Sequence, residues 1–336
     1  MRILEQVGLD FKDVLLVPKV SRLASRQEVI LEREFKFLHS PQKLTCIPIM
    51  NSNLDTTGGL KIAAKMAAFG LLGVLSKHLD LKQIFLALSM YPNKIFYTMG
   101  IRDSDWDKLI EYCRKYEKPN LVCMDIANFY CIPLLDNVKK LRELLPNAII
   151  MAGNICTPEM VEHLTFNGVD IIKVGIGPGE NCKTREVTGV GYPQLSAIIE
   201  CASAAHGLDS LIVADGGMKT SGDVCKAFAA GSDFIMSASL FNGCDECDGE
   251  WRFNSENCKE QLLTYGMSSK RAMSLYGGID KTYRTSEGNE GTWVNYKGTL
   301  KDIVQDLLGA LRSSMTYTGA RRIKDMNKTA TFIKVY

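Results

Sequence analysis

The sequence predicts a (β/α)8 barrel of the TIM type, formed as a single domain over residues 1–336. Three observations point there. Short apolar runs recur eight times and are apolar throughout rather than alternating, as strands covered on both faces are. Helix-length amphipathic segments fill the intervals. Nearly every run ends in glycine or polar residues, as barrel strands ending in functional loops do. An open doubly wound sheet is the structural rival.

In chain order, the first run spans 47–50 and ends in Asn51-Ser52-Asn53, with a helix over 59–68 behind it. The second spans 72–75 and ends in Ser76-Lys77-His78; the third spans 95–98. The fourth, 121–125, opens into Asp125-Ile126-Ala127-Asn128, and the fifth, 148–152, into Gly153-Asn154, with a helix over 158–166. The sixth, 170–174, opens into a glycine-rich loop. Helices over 193–205 and 221–230 end near Gly207 and Gly231, which suit helix ends. Between and after them lie the seventh run, 211–214, ending in Asp215-Gly216-Gly217, and the eighth, 234–236, ending in Ser237-Ala238-Ser239. Residues 1–45 read as an N-terminal extension, and 241–300, rich in Gly, Asn, Glu and Ser, as a long lid-like excursion.

Composition narrows the function. Hydrophobic residues make up 46% and charged residues 23%, which argues against disorder. A net charge of +2 leaves no basic footprint for nucleic acid. No apolar run is long enough to span a bilayer, and the N-terminus lacks a signal-peptide core, so a cytoplasmic protein without membrane or nucleic-acid partners is expected. The eleven cysteines, an odd count, fit a reducing compartment. Cys244-Asp245-Glu246-Cys247 has no matching second pair, so a variable loop is preferred to a structural metal.

The loop Gly175-Ile176-Gly177-Pro178-Gly179-Glu180-Asn181-Cys182-Lys183-Thr184-Arg185 carries a thiol on backbone that can approach a ligand closely. Arg185 is placed to favour the thiolate, the nucleophilic form. A tight turn with a passive cysteine is the competing reading. In a closed barrel Cys182 lies beside the loops after strands seven and eight, which commonly hold phosphate in this fold. A thiol next to such a pocket implies a phosphorylated substrate and a covalent adduct.

Those loops, with Thr188-Gly189-Val190-Gly191-Tyr192-Pro193-Gln194-Leu195, resemble the IMP dehydrogenase/GMP reductase family, and within it the GMP-reducing branch. Further matches are residues 10–16, Met151-Ala152-Gly153-Asn154, Glu200-Cys201-Ala202, Tyr265-Gly266-Met267-Ser268-Ser269, Tyr283-Arg284-Thr285-Ser286-Glu287-Gly288 and residues 312–320. The regulatory (CBS-type) insert of the dehydrogenase branch is absent. The resemblance implies reductive deamination of GMP to IMP and ammonia, through a thioimidate on Cys182 and hydride from NADPH. Thr184 and Glu287 would handle the proton, a surface charge being the plainer reading of Glu287.

By the same match Asp215 would hold sugar hydroxyls, and Gly216, Gly217, Ala238 and Ser239 the phosphate. Gly266, Met267, Ser268, Arg284, Ser286 and Gly288 would line the nucleotide. NADPH contacts would come from Lys77, Asp125, Ile126, Ala127, Tyr283, Arg284, Ser314, Met315, Thr316 and Tyr317, with Ser25 and Arg26 of a neighbour in a homotetramer. Gly177, Gly179, Cys182 and Arg185 would hold a monovalent cation, K+, through loop carbonyls.

Departures fall in the site itself. Glu180 stands where the family carries Ser for the 5′-phosphate, and at about 5 Å and an effective dielectric of about 20 each like-charge pair costs roughly 3 kcal/mol. Lys183 is the expected compensating charge. Ala238-Ser239 replaces a Gly-Gly pair, Phe129 replaces a Gly beside the expected nicotinamide, and Met218 and Ser221 replace Cys and Pro. A paralogue acting on another purine, a non-catalytic nucleotide-binding protein and an IMP dehydrogenase are therefore the alternatives.

Overall fold

The computed structural model describes residues 3–5, 7–277 and 285–335. All eight apolar runs form parallel strands: β1 (Ile49–Asn51), β2 (Gly73–Val74), β3 (Ile95–Met99), β4 (Leu121–Asp125), β5 (Ile149–Ile155), β6 (Ile171–Val174), β7 (Leu211–Asp215) and β8 (Phe234–Ser237). Their order is β1-β8-β7-β6-β5-β4-β3-β2. A parallel bridge between Met50 and Leu72 joins the two ends, with the Leu72 N–H donating to the Ile49 carbonyl at 3.1 Å. The ring is therefore closed, which excludes the open sheet.

The intervening helices are α1 (Leu60–Ala68), α2 (Leu81–Met90), α3 (Asp103–Lys115), α4 (Leu135–Leu144), α5 (Pro158–Phe166), α6 (Gln194–Gly207), α7 (Ser221–Ala229) and α8 (Leu300–Thr318). Their starts are written locally. Asp80 accepts from the Gln83 N–H at 2.8 Å, while the Gln83 side chain accepts from the Asp80 N–H at 3.1 Å. Such a reciprocal cap satisfies two orphan donors.

Uniformly apolar strands serve two cores. On β4, Val122 and Met124 pack outward against the helices, whereas Leu121 and Cys123 join the barrel interior. Each large side chain so buried contributes about 1.5–3 kcal/mol. The expected N-terminal extension closes one end of the barrel. Strands Arg33–Lys36 and Lys43–Cys46 pair as a hairpin. That hairpin sends Phe35, Leu44 and Cys46 into the interior cluster, where the Phe35 ring stacks on Phe234 at 4.2 Å. The opposite end, where the strands finish, is left for loops.

The expected excursion after β8 carries structure of its own. Trp251–Phe253, Lys259–Thr264 and Thr292–Asn295 form a three-stranded antiparallel sheet. Among the described residues no helix is long and apolar enough to cross a membrane.

Candidate active site

The loop after β6 is bent by glycines that have no substitute. Gly175 and Gly177 have φ of 152° and 79°. A Cβ on Gly175 would lie 2.3 Å from the Asp215 carbonyl oxygen, and one on Gly177 would lie 2.5 Å from Cγ of Arg185. Arg185 passes through the space those glycines leave. Its guanidinium donates to the carbonyls of Ile176 and Tyr192 and lies 3.7 Å from Asp10. These contacts clamp the loop.

Cys182 lines the resulting cleft. Its Sγ–H donates to Thr184 Oγ1 at 3.3 Å, and that hydroxyl donates to Glu287 Oε2 at 2.8 Å. Glu287 comes from 105 positions further along the chain (287 − 182), so tertiary contacts must place it. The Lys183 N–H donates to the Glu287 carbonyl at 2.7 Å, and the Asn289 N–H to the Asn181 carbonyl at 2.8 Å. Between them Cys182 and Gly288 form an antiparallel bridge. On the other side the Glu287 N–H donates to the Ser268 carbonyl at 3.1 Å. Gly288 is squeezed into this crossing: a Cβ there would lie 2.5 Å from the Ser269 nitrogen. Glu287, half-buried, is thus held against the cleft beside Thr184 by backbone contacts on both sides.

The cleft floor is charged. Lys173 is 1% exposed inside the barrel and pairs with Asp125 and, at 3.2 Å, with Asp215. Burial alone would drive the proton off Lys173, but Asp125 and Asp215 outweigh it and hold the ammonium protonated. For Asp125 burial pushes the carboxyl up, yet Lys173 and then Lys77 prevail and hold it below the ordinary carboxylate range. Asn154 Nδ2 donates to Asp215 Oδ2 at 2.8 Å, the same oxygen that Lys173 pairs with. Next to it, Gly216 and Gly217 have φ of 82° and 80°, and Ser239 Oγ donates to the Met218 carbonyl at 2.7 Å.

One cleft therefore gathers Cys182, Thr184, Glu287, Asp125, Ala127, Gly177, Gly179, Asp215, Gly216, Gly217, Ala238, Ser239, Gly266, Met267, Ser268 and Gly288. Lys77, Ile126, Arg185 and Ser286 lie off its lining. Ser25 caps a short exposed helix, Arg26–Glu28, and Ser314, Met315, Thr316 and Tyr317 sit on α8. Met315 is fully buried there and has no exposed surface. Tyr283 and Arg284 lie outside the described residues. Phe129 is fully buried in the outer core. Cys244 and Cys247 are buried thiols with sulfurs 3.5 Å apart. Among the described residues no group of three or more His, Cys, Asp or Glu is arranged to hold a metal.

Sequence reasoning missed a second network, on residues that adjoin Leu54 and Gly266 of the cleft lining in sequence. Asp55 Oδ2 accepts from the hydroxyls of Tyr265 and Tyr276, each at 2.7 Å, and the Tyr276 ring stacks on His78 at 3.4 Å. Burial chiefly, with Lys77 and Lys108, lowers His78 to about 4 against the pull of Asp55 and Asp105. A histidine depressed in the folded state binds fewer protons than the unfolded chain between about pH 4 and about 6.5, so stability rises with pH over that window and is lost as pH falls. His78→Phe keeps an aromatic ring and removes the titration. Urea midpoints at about pH 5 and about pH 7 should therefore differ less in the variant than in the wild type.

A family model described as the IMP dehydrogenase / GMP reductase domain matches residues 99–336. The GMP reductase of Caenorhabditis elegans is 44% identical over 338 residues, covering 99% of this chain and 94% of its own. That of Yersinia pestis (strain Pestoides F) is 43% identical over 339 residues, covering 100% and 97%.

Proposed function

The chain belongs to the IMP dehydrogenase/GMP reductase family, and from that membership we propose that it is an oxidoreductase converting GMP to IMP and ammonia at the expense of NADPH. One observation carries the proposal: the unbroken hydrogen-bond chain from Cys182 Sγ through Thr184 to Glu287.

The chain's own residues account for the proton traffic. As Cys182 attacks C2 of the purine, its proton passes to Thr184 while the Thr184 proton passes to Glu287. The reverse shift protonates the exocyclic amine, the C2–N bond breaks and ammonia leaves, so that a thioimidate joins C2 to the sulfur. NADPH, when bound, supplies hydride to C2. The C2–S bond then breaks, IMP departs and the thiol recovers a proton. The balance is GMP, NADPH and two protons giving IMP, NADP+ and ammonium. Positioned acid–base groups of this kind contribute roughly 10²–10⁴ in rate.

The residues present fit both implied groups. Asn53, Asp125 and Ala127 line the same cleft as Cys182, and the first two would offer a nicotinamide cofactor polar partners. Gly179 O accepts the Cys182 N–H at 3.0 Å and keeps a second lone pair, so with Gly177 and Cys182 it would serve K+. The same reading includes a cytoplasmic homotetramer in which Ser25 and Arg26 reach a neighbour's cleft.

Mixing the protein with GMP and NADPH should consume NADPH and release IMP and ammonia in equal amounts. Release of neither product while GMP binds would reject the reading. Glu287→Gln keeps the hydrogen bond but cannot accept the proton, so kcat should fall roughly 10²–10³-fold with KM for GMP little changed. A loss confined to KM would place Glu287 in binding instead.

A further inference from the structure

Among the described residues one pair of thiols has its sulfurs within reach of each other: Cys244 and Cys247, 3.5 Å apart. Cys244 is 0% exposed and Cys247 5%, so this C-x-x-C turn belongs to the core and not to a surface loop. Its backbone is pinned independently of either sulfur. The Cys247 N–H donates to the Cys244 carbonyl at 3.1 Å, and the Cys244 N–H to the Phe241 carbonyl at 3.2 Å. The Asp245 N–H donates to the Gly298 carbonyl at 3.0 Å, and the Asp248 N–H to the Thr56 carbonyl at 3.1 Å. Between the cysteines, Glu246 Oε2 accepts from the Leu300 N–H at 2.9 Å and so caps α8.

The two thiols are not equivalent. The Cys244 S–H holds Cys247 below the ordinary thiol range against the effect of burial, whereas Cys247 and then burial push Cys244 up. Cys247 is also the residue that keeps some exposure. A thiol with thiolate character beside a resolving cysteine is the arrangement of a redox-sensitive pair. Metal binding is the other use of such a turn. Among the described residues, however, no group of three or more His, Cys, Asp or Glu is arranged to hold an ion.

We propose that Cys244 and Cys247 form a reversible oxidation site, closed to a disulfide by hydrogen peroxide and separate from Cys182. The Cys247 thiolate attacks one peroxide oxygen, the O–O bond breaks and hydroxide leaves, so that Cys247 becomes a sulfenic acid. The Cys244 thiol then attacks Cys247 Sγ, the S–O bond breaks and the hydroxyl departs as water with the Cys244 proton. The two sulfurs give up two electrons, and one peroxide becomes two waters. To reach a bond of about 2.05 Å the sulfurs close by about 1.5 Å from their present 3.5 Å, a side-chain movement within a backbone already fixed. Cys182 lacks such a resolving partner, because the group within reach of its sulfur is the Thr184 hydroxyl.

Thiol alkylation followed by peptide mass spectrometry tests this on the full chain. Trypsin cuts after Lys226 and Arg252, and residues 227–252 contain Cys244 and Cys247 and no other cysteine. Native protein is exposed to hydrogen peroxide, cleared of it with catalase, then denatured and alkylated. The 227–252 peptide should carry no alkyl group and be lighter than the reduced peptide by two hydrogens. Dithiothreitol added before alkylation should restore two alkyl groups. Cys244→Ser keeps a hydrogen-bond donor beside Cys247 and should leave a sulfenic acid there that dimedone traps. Cys247→Ser should leave Cys244 fully alkylated. Oxidation of Cys182 in the same digest shows that the oxidant reached the protein. Two alkyl groups on the wild-type 227–252 peptide, at a dose that oxidises Cys182, overturn the proposal whether or not the variants fold. Dimedone on Cys244 in Cys247→Ser overturns the assignment of Cys247 as the attacking sulfur.

Discussion

Cys182→Ala should abolish GMP turnover, by at least about ten-thousandfold in kcat, while GMP still binds with nearly wild-type affinity. The thiol is a reacting group in the proposal, and removing a nucleophile leaves only the catalysis that binding and electrostatics supply. Cys182 is only partly buried and, among the described residues, its sulfur has a single hydrogen-bond partner, Thr184. Alanine therefore opens no large cavity, and the fold should be retained. Single-turnover measurement of NADPH consumption alongside GMP titration separates the two effects. Residual turnover within about tenfold of the wild type would mean that the sulfur does not form the bond.

The second large effect concerns Lys173. Lys173→Met removes the cation between Asp125 and Asp215 and leaves two carboxylates facing each other inside the barrel. Breaking a buried pair by deleting one partner costs about 3–5 kcal/mol. The urea midpoint should fall accordingly, and GMP binding should weaken because Asp215 loses its orientation. Should the single variant fail to fold, Lys173→Met/Asp125→Asn restores part of the charge balance and should recover stability. A midpoint for the single variant equal to the wild type would show that the cluster contributes nothing. The sign with pH follows from the same contacts. Asp125 is depressed, so its contribution is present above the ordinary carboxylate range and is lost as pH falls through its folded value. Lys173 is raised, so its contribution is complete below about 10.4 and is lost as pH rises further.

Much of the barrel was legible because each strand is buried on both faces, which leaves an apolar run and a polar end. Leu211-Ile212-Val213-Ala214 followed by Asp215-Gly216-Gly217 is the plainest case, and it became β7 with its loop. The loop after β6 was legible for a similar reason, since positive φ at Gly175 and Gly177 leaves a glycine signature. Lys173 stood in plain view within an apolar strand, where an unpaired ammonium would be untenable. Its partners come from two other strands, and no local pattern names them. The sheet after β8 was missed because strands such as Lys259–Thr264 are polar along half their length and read as loop.

The most direct test is intact-protein mass spectrometry after incubation with GMP in the absence of reduced cofactor. The wild type should gain the mass of one nucleotide less ammonia, Cys182→Ala should gain nothing, and peptide mapping should put the modification on Cys182. An unmodified wild-type chain at saturating GMP, in a preparation that turns over once NADPH is added, would contradict covalent catalysis by this sulfur.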